Sequence, residues 1–572
     1  MSKIFRNKVQ TLLQLGLLTV VVILVNILAN ARFGDKAMYG HIDLTEEKRF
    51  TLTSGSKQLL REVDDVVFVR VLLDGEFPSG FKRLQNATRD MLAKFRSENS
   101  LVEYEFEDPA AGTNDEVSDR RKQLAEDGIR PINLRLKDRQ GTSERLIYPY
   151  AVFYYKGRNI VVNLLENEVP GVPPEVILNN AVELLEYKFA NAIQKLRITA
   201  KPIIVFSTGN GELEPLETAD LEKSLRPYYD TGRLNLDSMS SIPQEVAALV
   251  IAKPRYPFSE KSKFKLDQYV MNGGKVLWLI DALRIDMDSL RTRERYLATE
   301  YTLNLDDLLF QYGARLKTNL VLDYRSTGIQ LVTGIVGNAP QFDYFKYPYH
   351  VVALPSVNHP IVKSLDGVNL QYVGAIDTIK TKTPVKKTVL LESSQRSMLQ
   401  YSPVTMDFEF LRYDLDSSKF NKQNLPMALL LEGTFSSLYE NRMEQDMLNM
   451  LQQIGKPYRA ESLPTRMIVV ADGDVAKNKI NIEKQSYSPL GYNEVDRYLF
   501  ANKGFVINSL EYLLDEQGVA EARGREVKLR MLDTVQAQEE KTKWRLINIA
   551  LPLALLALFG WVFQWWRKRR WS

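Results

Sequence analysis

The sequence contains no cysteine and only three histidines among its 572 residues. The missing cysteine excludes thiol nucleophiles, disulfide bonds and cysteine-ligated zinc. The histidines are His41, His350 and His359. The chain can therefore form a histidine-rich metal site or a Ser-His-Asp triad in very few ways. His359 lies in the turn-like stretch Asn358-His359-Pro360, and we interpret it as structural rather than catalytic.

Nucleotide-binding signatures are missing as well. The glycine-rich stretch 207–212 (STGNGE) follows an apolar run, but the dinucleotide fingerprint requires a third glycine where Glu214 stands. The two Gly-Lys pairs are followed by Val276 and Pro457, so neither forms a P-loop. Glu212 and Glu214 would also repel a phosphate. We therefore predict no direct nucleotide binding and no cofactor, and the net charge of only +4 predicts no nucleic-acid partner.

Long uncharged runs occur at both ends of the chain. Residues 9–29 and 546–566 are each 21 residues long, close to the ~20 that a helix needs to cross a lipid bilayer. The basic residues 567–570 argue against a buried core helix at the second run. At the first run, the stretch 29–31 (ANA) leaves a cleaved signal peptide open, although the run is longer than the apolar part of such peptides. The sequence therefore predicts one transmembrane helix at each end.

Lysine and arginine residues beside the two runs indicate how they cross the membrane. Three lie before residue 9 against two after residue 29, and four follow residue 566 against three before residue 546. Both tails, residues 1–8 and 567–572, are therefore predicted to be cytoplasmic. The body between them is placed on the extracytoplasmic (periplasmic) side of the cytoplasmic (inner) membrane.

Alternating strand and helix patterns predict two α/β domains. In the first, residues 38–170, a buried strand at 64–74 is followed by a helix at 81–96 and a strand at 101–109, which together form a βαβ unit. A hairpin is predicted at 150–165. A long amphipathic helix over residues 175–198 is expected to connect this domain to the next.

The second α/β domain is predicted over residues 200–535, with a parallel sheet and right-handed crossovers. Its buried strands are predicted at residues 203–206, 247–252 and 275–280 and within 466–478. Helices are expected from Leu213 onward, at 259–271 and near 505–515. A β-rich section at about 315–460 is interpreted as an insertion or addition to this domain.

Polar residues follow the carboxyl ends of these strands, where open parallel sheets bind ligands. If the four strands are parallel neighbours, these residues converge on one edge of the sheet, and one interpretation is that they hold a small polar ligand or a cation. The alternative is that the glycines permit a turn, Asn210 is left-handed and the aspartates cap helices. No catalytic residue and no metal site are predicted. The candidate ligand-binding residues are Thr208, Gly209, Asn210, Gly211, Glu212, Asp281, Asp472 and Asp474.

Several segments, taken together with the two apolar ends, carry a resemblance to a known family. They are HIDLTEEKRFTLTSGSKQLLREVDD (41–65), IIVFSTGNG (203–211), FKLDQYVMNGGKVLWLID (264–281), IVVADGDVAKN (468–478) and NKGFVINSLEYLL (502–514). The chain resembles the extracytoplasmic, substrate-binding-like auxiliary components of ABC transporters, in particular the GldG-like components associated with gliding motility. The resemblance implies a non-enzymatic subunit that works with a separate ABC permease and a separate ABC ATPase. Two alternatives stay open, namely an extracytoplasmic receptor for a small polar ligand and a membrane-bound hydrolase that uses the carboxylates.

Overall fold

The chain falls into two compact units in the computed structural model. The larger comprises Met1–Asp43 and Phe50–Arg525, and the smaller comprises Leu44–Arg49 and Glu526–Ser572. The structure describes residues 14–24, 32–33, 36–37, 51–75, 77–138, 141–165, 173–337, 339–440, 442–443, 452, 457–481, 483–524 and 540–571.

A four-stranded sheet, a separate strand pair and several helices form the N-terminal part of the larger unit. Apart from two-residue strands, its strands are β1 (Val67–Val71), β2 (Val102–Phe106), β3 (Ile132–Asp138), β4 (Gly141–Ile147), β5 (Tyr150–Tyr155) and β6 (Arg158–Asn163). The helices are α1 (Gln14–Leu24), α2 (Ser54–Arg61), α3 (Ser79–Glu98), α4 (Asn114–Glu126), α5 (Pro174–Glu183) and α6 (Leu185–Arg197). The sheet order is β2-β1-β5-β6, while β3 and β4 pair with each other. The parallel pair β1 and β2, joined by α3, confirms the predicted βαβ unit, and the antiparallel pair β5 and β6 confirms the predicted hairpin.

The amphipathic helix predicted over 175–198 is divided into α5 and α6. The division lies at Leu184, whose φ of −86° and ψ of −4° depart from α-helical values. The apolar stripe of α6 packs into the core of the first sheet, where the Phe189 ring lies 5.2 Å from that of Phe153 and 6.1 Å from that of Phe95. These helices therefore belong to the core of the N-terminal part.

A ten-stranded sheet dominates the rest of the larger unit. Its order is β8-β7-β9-β10-β22-β21-β18-β15-β14, and β16 pairs with β15 beside this row. Apart from two-residue strands, the strands of this part are β7 (Ile203–Thr208), β8 (Asp230–Asn235), β9 (Val246–Ala252), β10 (Lys275–Leu279), β11 (Tyr296–Glu300), β12 (Ala314–Leu316), β13 (Asn319–Asp323), β14 (Ser326–Val336), β15 (Ala339–Pro355), β16 (Val368–Gln371), β17 (Ile376–Thr378), β18 (Val385–Glu392), β19 (Ser397–Tyr401), β20 (Val404–Met406), β21 (Pro426–Gly433) and β22 (Thr465–Val470). The helices are α7 (Ala219–Leu225), α8 (Glu260–Met271), α9 (Met287–Thr292), α10 (Asp306–Tyr312) and α11 (Asn502–Leu514).

The five strands β8, β7, β9, β10 and β22 run parallel, which confirms the predicted parallel sheet. Apolar residues face both sides of the inner strands β7, β9, β10 and β22 because the sheet is covered on both faces there, as parallel sheets require. The helix α8 begins after Ser259, whose hydroxyl accepts a hydrogen bond from the Ser262 amide at 3.1 Å, and is followed by Gly273 at a φ of +88°. Both boundaries of α8 agree with the prediction.

Three features of this part differ from the sequence-based prediction. The helix expected from Leu213 begins at Ala219, because the Leu213 amide donates to the Ala252 carbonyl at 3.0 Å and the chain turns before the helix starts. The edge strand β8 was not predicted, since its sequence DTGRLN lacks an apolar run. The β-rich section also contributes β14, β15, β18 and β21 to the same sheet as the parallel strands, through antiparallel pairing of β21 with β22.

The smaller unit contains the helix α12 (Lys541–Trp571). Its segment Lys541–Arg569 has 29 residues and is long and apolar enough to cross a membrane. In the described part of the chain, α1 is an apolar helix that is shorter than a membrane span. The remainder of the predicted first span, residues 9–13 and 25–29, lies outside the described residues.

Candidate functional site

The carboxyl ends of four parallel strands lie side by side along one edge of the ten-stranded sheet. Lys253 follows β9, Asp281 follows β10, and Asp472 and Asp474 follow β22. One carboxylate oxygen from each of the three aspartates lies within 4.8 Å of the others. The fold thus brings together three residues that the sequence analysis selected as ligand-binding candidates.

Lys253 neutralises two of these carboxylates. Its Nζ lies 2.9 Å from Asp281 Oδ2 and also donates to Asp474, and only 8% of its side chain is exposed. Burial alone would lower the pKa of Lys253, but the charges of Asp281 and Asp474 raise it above its usual range. For Asp474, burial raises the pKa, but the charge of Lys253 outweighs that effect and lowers it. An ammonium group therefore occupies the position that a metal cation would take among these oxygens.

Asp472 holds two loops together. Its Oδ2 accepts the Gln371 amide at 2.8 Å and its Oδ1 accepts the Asp474 amide at 2.7 Å. The side chain is fully buried, and burial, followed by the Asp474 and Asp281 charges, raises the pKa of Asp472 well above its usual range. Because its side chain is fully buried and lies outside the pocket lining, Asp472 is not accessible to a substrate in this structure. This geometry gives no support to the hydrolase alternative.

The glycine-rich turn after β7 holds the neighbouring loop in place. The Asn210 carbonyl accepts the amides of Arg255 and Tyr256, each at 2.8 Å, and the Asn210 side chain donates to the Pro257 carbonyl at 2.9 Å. The buried Glu212 carboxylate accepts the Asn210 amide at 2.7 Å. The polar groups of this turn are thus directed at the protein, and the turn positions residues 255–257.

Both glycines of the turn adopt conformations that other residues disfavour. Gly209 has a φ of +105° and Gly211 a φ of +77°, whereas Asn210 has no positive φ, so the left-handed Asn210 of the alternative interpretation was wrong. A Cβ at Gly211 would lie 2.8 Å from the Tyr256 ring and 3.1 Å from Arg255 Cβ. Glycine at this position is therefore required by close approach as well as by φ.

A large polar pocket lies beside the strand ends, with a volume of about 1000 Å³. Its walls come from the loop after β9, from residues 284–301, from β15 and β16, and from residues 477–495. Of the predicted ligand-binding residues, Asp474 lines this pocket. Thr208, at the end of β7, the turn 209–212, and the buried Asp281 and Asp472 lie outside its lining. That these residues bind a ligand stays a prediction.

Several pocket residues were missed by the sequence analysis. They include His350 on β15, Asn369 on β16, and the arginines Arg255, Arg284 and Arg291. His350 was visible as one of only three histidines, but it occurs inside a strand pattern that indicates burial and nothing more. The three arginines lie in segments without helical or strand periodicity, so no sequence pattern selected them. The pairing of β15 with β16, in which His350 lies opposite Gln371, places His350 and Asn369 on neighbouring strands beside the pocket.

A mixed α/β body with a pocket at the ends of parallel strands, in a chain that also carries a helix of membrane-spanning length, fits a membrane-associated protein. Residues 201–509 match the family described as ABC-type uncharacterized transport system, and the chain belongs to this family. Residues 46–154 match a second family, described as a domain of unknown function, DUF7088. Family membership confirms the predicted ABC transporter auxiliary component and indicates a transport-associated, non-catalytic role.

Individual relatives add little to this assignment. An uncharacterized protein of Borreliella burgdorferi is 21% identical over 412 residues, which are 71% of this chain and 75% of that protein. The mmIFT52 N-terminal domain is 14% identical, with 54% of this chain and 96% of that chain covered and a TM-score of 0.29. The exo-beta-1,4-mannosidase Op5Man5 from Opitutaceae bacterium strain TAV5 is 13% identical, with 55% and 43% covered and a TM-score of 0.17. Both TM-scores are too low to indicate a shared fold.

Proposed function

We propose that the protein is a non-enzymatic auxiliary subunit of an ABC transporter, anchored in the cytoplasmic membrane at both ends, with its body outside the cytoplasm. The observation that carries this proposal is the presence, in one chain, of the family region 201–509 and the apolar helix α12. The resemblance of five sequence segments to GldG-like proteins adds gliding motility as the process in which the transporter takes part.

The subunit works with two other chains, a multi-span permease and a cytoplasmic ATPase. The sequence supports this division of labour, because it lacks a P-loop and must leave ATP hydrolysis to another chain. Residues 9–29 and 546–566 would pack against the permease. Two α/β domains, residues 38–170 and 200–535, would form the extracytoplasmic body.

The absence of cysteine makes the topology directly testable. Ser100 is exposed, so Ser100→Cys introduces a single accessible thiol into the body. A membrane-impermeant maleimide should label this variant in cells whose inner membrane is intact, after any outer barrier has been opened. Ser2→Cys, in the predicted cytoplasmic tail, is the matched control and should react only after lysis. Labelling of Ser2→Cys in intact cells with protection of Ser100→Cys would refute the proposed orientation.

The partner set is tested by purification from native membranes in mild detergent. An affinity-tagged chain should retain a permease and an ATPase of the ABC class in fixed ratio. Recovery of the chain without either partner, from membranes that contain both, would reject the subunit proposal.

A second candidate function is that of an extracytoplasmic receptor for a small polar ligand. The pocket of about 1000 Å³ favours it, since its volume is that of small-molecule sites and its wall is rich in charged groups and tyrosines. A receptor should lose transport or motility when pocket residues are changed, while the assembled complex stays intact. Arg284→Gln combined with Arg291→Gln is a suitable variant, because both side chains are exposed in the pocket and lie outside the buried Lys253 cluster.

A further inference from the structure

The charges that line the pocket are unevenly paired. Five carboxylates and six cationic side chains line it, and the three lysines all bind carboxylates. Lys253 binds Asp474, Lys477 lies 3.2 Å from Glu217, and Lys479 binds Glu494. Asp286 caps α9 by accepting the Ser289 amide at 3.0 Å. Asp288 is the one carboxylate of this lining for which no partner is found among the described residues.

The three arginines of the pocket have no such partners. The guanidinium groups of Arg255, Arg284 and Arg291 form no ion pair and no hydrogen bond with any residue that the structure describes, although all three line the pocket. The unpaired charge of the pocket wall is therefore three positive charges against one negative charge. Guanidinium groups are well suited to bind carboxylate and phosphate oxygens in pairs.

One of the arginines contacts a tyrosine of the pocket. The Arg284 guanidinium lies 5.3 Å from the centre of the Tyr301 ring, where it makes a cation–π contact. Burial and the Asp281 charge raise the pKa of the Tyr301 hydroxyl, and the charges of Lys253, Arg255 and Arg284 act against that rise. Arg255 and Tyr301 line the same pocket, so an anion bound there would meet the charges of both arginines.

The third arginine lies near a buried histidine that lacks hydrogen-bond partners. Only 8% of His350 is exposed, it lines the pocket, and its imidazole hydrogen-bonds to none of the described residues. Burial lowers the pKa of His350, the Asp474 charge opposes this and the Arg291 charge adds to it; the resulting pKa is about 4, so the ring is neutral and carries one N–H donor. Asn369, which also lines the pocket, has a buried side-chain oxygen without a partner in the described part of the chain. Buried polar groups without partners destabilise a protein. An oxyanion can accept from the His350 N–H, whereas the Asn369 oxygen only accepts and would need a donor such as a ligand hydroxyl.

We propose that this pocket binds an organic anion through carboxylate or phosphate groups, with Arg255, Arg284 and Arg291 as the oxyanion-binding residues. Four of its five carboxylates are already neutralised by lysines or occupied by a helix cap, so a cationic ligand would find only Asp288 unpaired among the described residues. The glycine-rich turn at 209–212 serves the site indirectly, since Asn210 fixes the backbone of Arg255. The inference rests on the second candidate function, ligand reception, and is independent of the transporter-subunit proposal.

The test uses the full-length protein in lipid nanodiscs and isothermal titration calorimetry with two probes. Citrate presents carboxylates and inorganic pyrophosphate presents phosphates, while glucose serves as a neutral control. We expect saturable binding of at least one anionic probe, no binding of glucose, and weaker binding at high salt. Binding of citrate alone would assign carboxylate ligands, and binding of pyrophosphate alone would assign phosphate ligands.

The variants Arg255→Gln, Arg284→Gln and Arg291→Gln should each weaken binding by about tenfold, because each removes charge-assisted hydrogen bonds. Arg293→Gln is the matched control, since it removes an exposed arginine two residues from Arg291 that does not line the pocket. It should leave the affinity unchanged. Each single variant removes one exposed side chain, so we expect it to unfold at the same temperature as the parent.

Absence of saturable binding for both anions, or equal affinity in the parent and all three single variants, would overturn the proposal. Co-purification with the permease and ATPase is measured on the same variants. Lost anion binding with intact co-purification supports the pocket assignment, whereas an anion-binding parent that lacks both partners would reject the subunit proposal alone.

Discussion

At the residue scale, the least replaceable side chain of the strand-end cluster is Lys253. Lys253→Met would leave the buried carboxylates of Asp281 and Asp474 without their shared cation, which should cost about 3–5 kcal/mol of stability. Thermal unfolding of the purified protein measures the loss. The control Lys479→Met removes a lysine whose side chain is 64% exposed in its pair with Glu494, and it should cost about 0–1 kcal/mol. Equal shifts for the two variants would show that the buried cluster is not electrostatically coupled.

A comparison of alanine substitutions at Gly211 and Gly128 distinguishes the effect of a steric clash from the effect of a positive φ. Gly211→Ala should cost about 1–3 kcal/mol and weaken anion binding, because the new Cβ would push against Tyr256 and displace Arg255. Gly128→Ala is the matched control, since Gly128 has a φ of +78° but a Cβ added there would have nothing within 4 Å. It should cost about 1 kcal/mol and leave binding unchanged. Calorimetry measures anion binding, and thermal unfolding measures stability. Identical losses of binding and stability in Gly211→Ala and Gly128→Ala would contradict the positioning role of the turn.

His359 is expected to make stability depend on pH. Burial lowers its pKa to about 4, the Glu432 charge opposes this, and the charges of Lys386 and Arg466 add to it, while its ring packs edge-on against Tyr512. Between pH 6.5 and 4 the unfolded chain therefore binds a proton that the folded chain does not. Stability falls as the pH is lowered through this window, by at most about 3 kcal/mol for this residue.

Thermal unfolding at pH 7, 6 and 5 tests this expectation. His359→Gln should show a weaker fall in unfolding temperature than the parent over this range, because glutamine does not titrate. The same slope in both proteins would show that His359 does not contribute. His350, with a pKa of about 4, adds to the slope of both proteins alike.

At the element scale, the start of α8 depends on one side chain. Ser259 caps the helix and also donates to Asp237 at 2.9 Å, so Ser259→Ala should cost about 1 kcal/mol. Ser97→Ala, near the end of α3, is the control and should stay within about 0.5 kcal/mol, since Ser97 only bonds the Lys94 carbonyl of its own helix. Unfolding in urea, followed by circular dichroism, compares the two variants. An unchanged unfolding midpoint for Ser259→Ala would show that the Ser259 cap does not stabilise α8.

The elements that sequence patterns predicted well are those buried on both sides. The strands β7, β9, β10 and β22 each contain an apolar run that is buried in the core, so composition alone identifies them. The edge strand β8 is partly exposed along its length and contains Gly232, and its sequence therefore carries no apolar signal. The start of α7 was misplaced for a different reason, because a hydrogen bond to the distant Ala252 carbonyl holds Leu213 out of the helix.

At the scale of the whole molecule, the two apolar ends make different predictions for truncated chains. If residues 9–29 form the second anchor that the sequence predicts, a chain that lacks residues 541–572 should remain in the membrane fraction after an alkaline wash. A chain that lacks both residues 1–31 and 541–572 should become soluble. Release of the first truncated chain would show that α12 is its only stable anchor and would revise the two-span topology. Sedimentation of washed membranes followed by immunoblotting provides the measurement.

The sequence by itself determined what this protein lacks and where its apolar segments lie. The missing cysteine, the missing P-loop and the uncharged ends are local facts, and the apolar runs indicate the buried strands because burial acts on each element separately. The tertiary structure alone decided which polar residues meet. Val276 pairs with Met467 and His350 with Gln371, and these pairings bring Asp281 to Asp474 and His350 to the end of β16. Contacts between residues so far apart in the chain depend on the order of strands in the sheet, and no local pattern encodes that order.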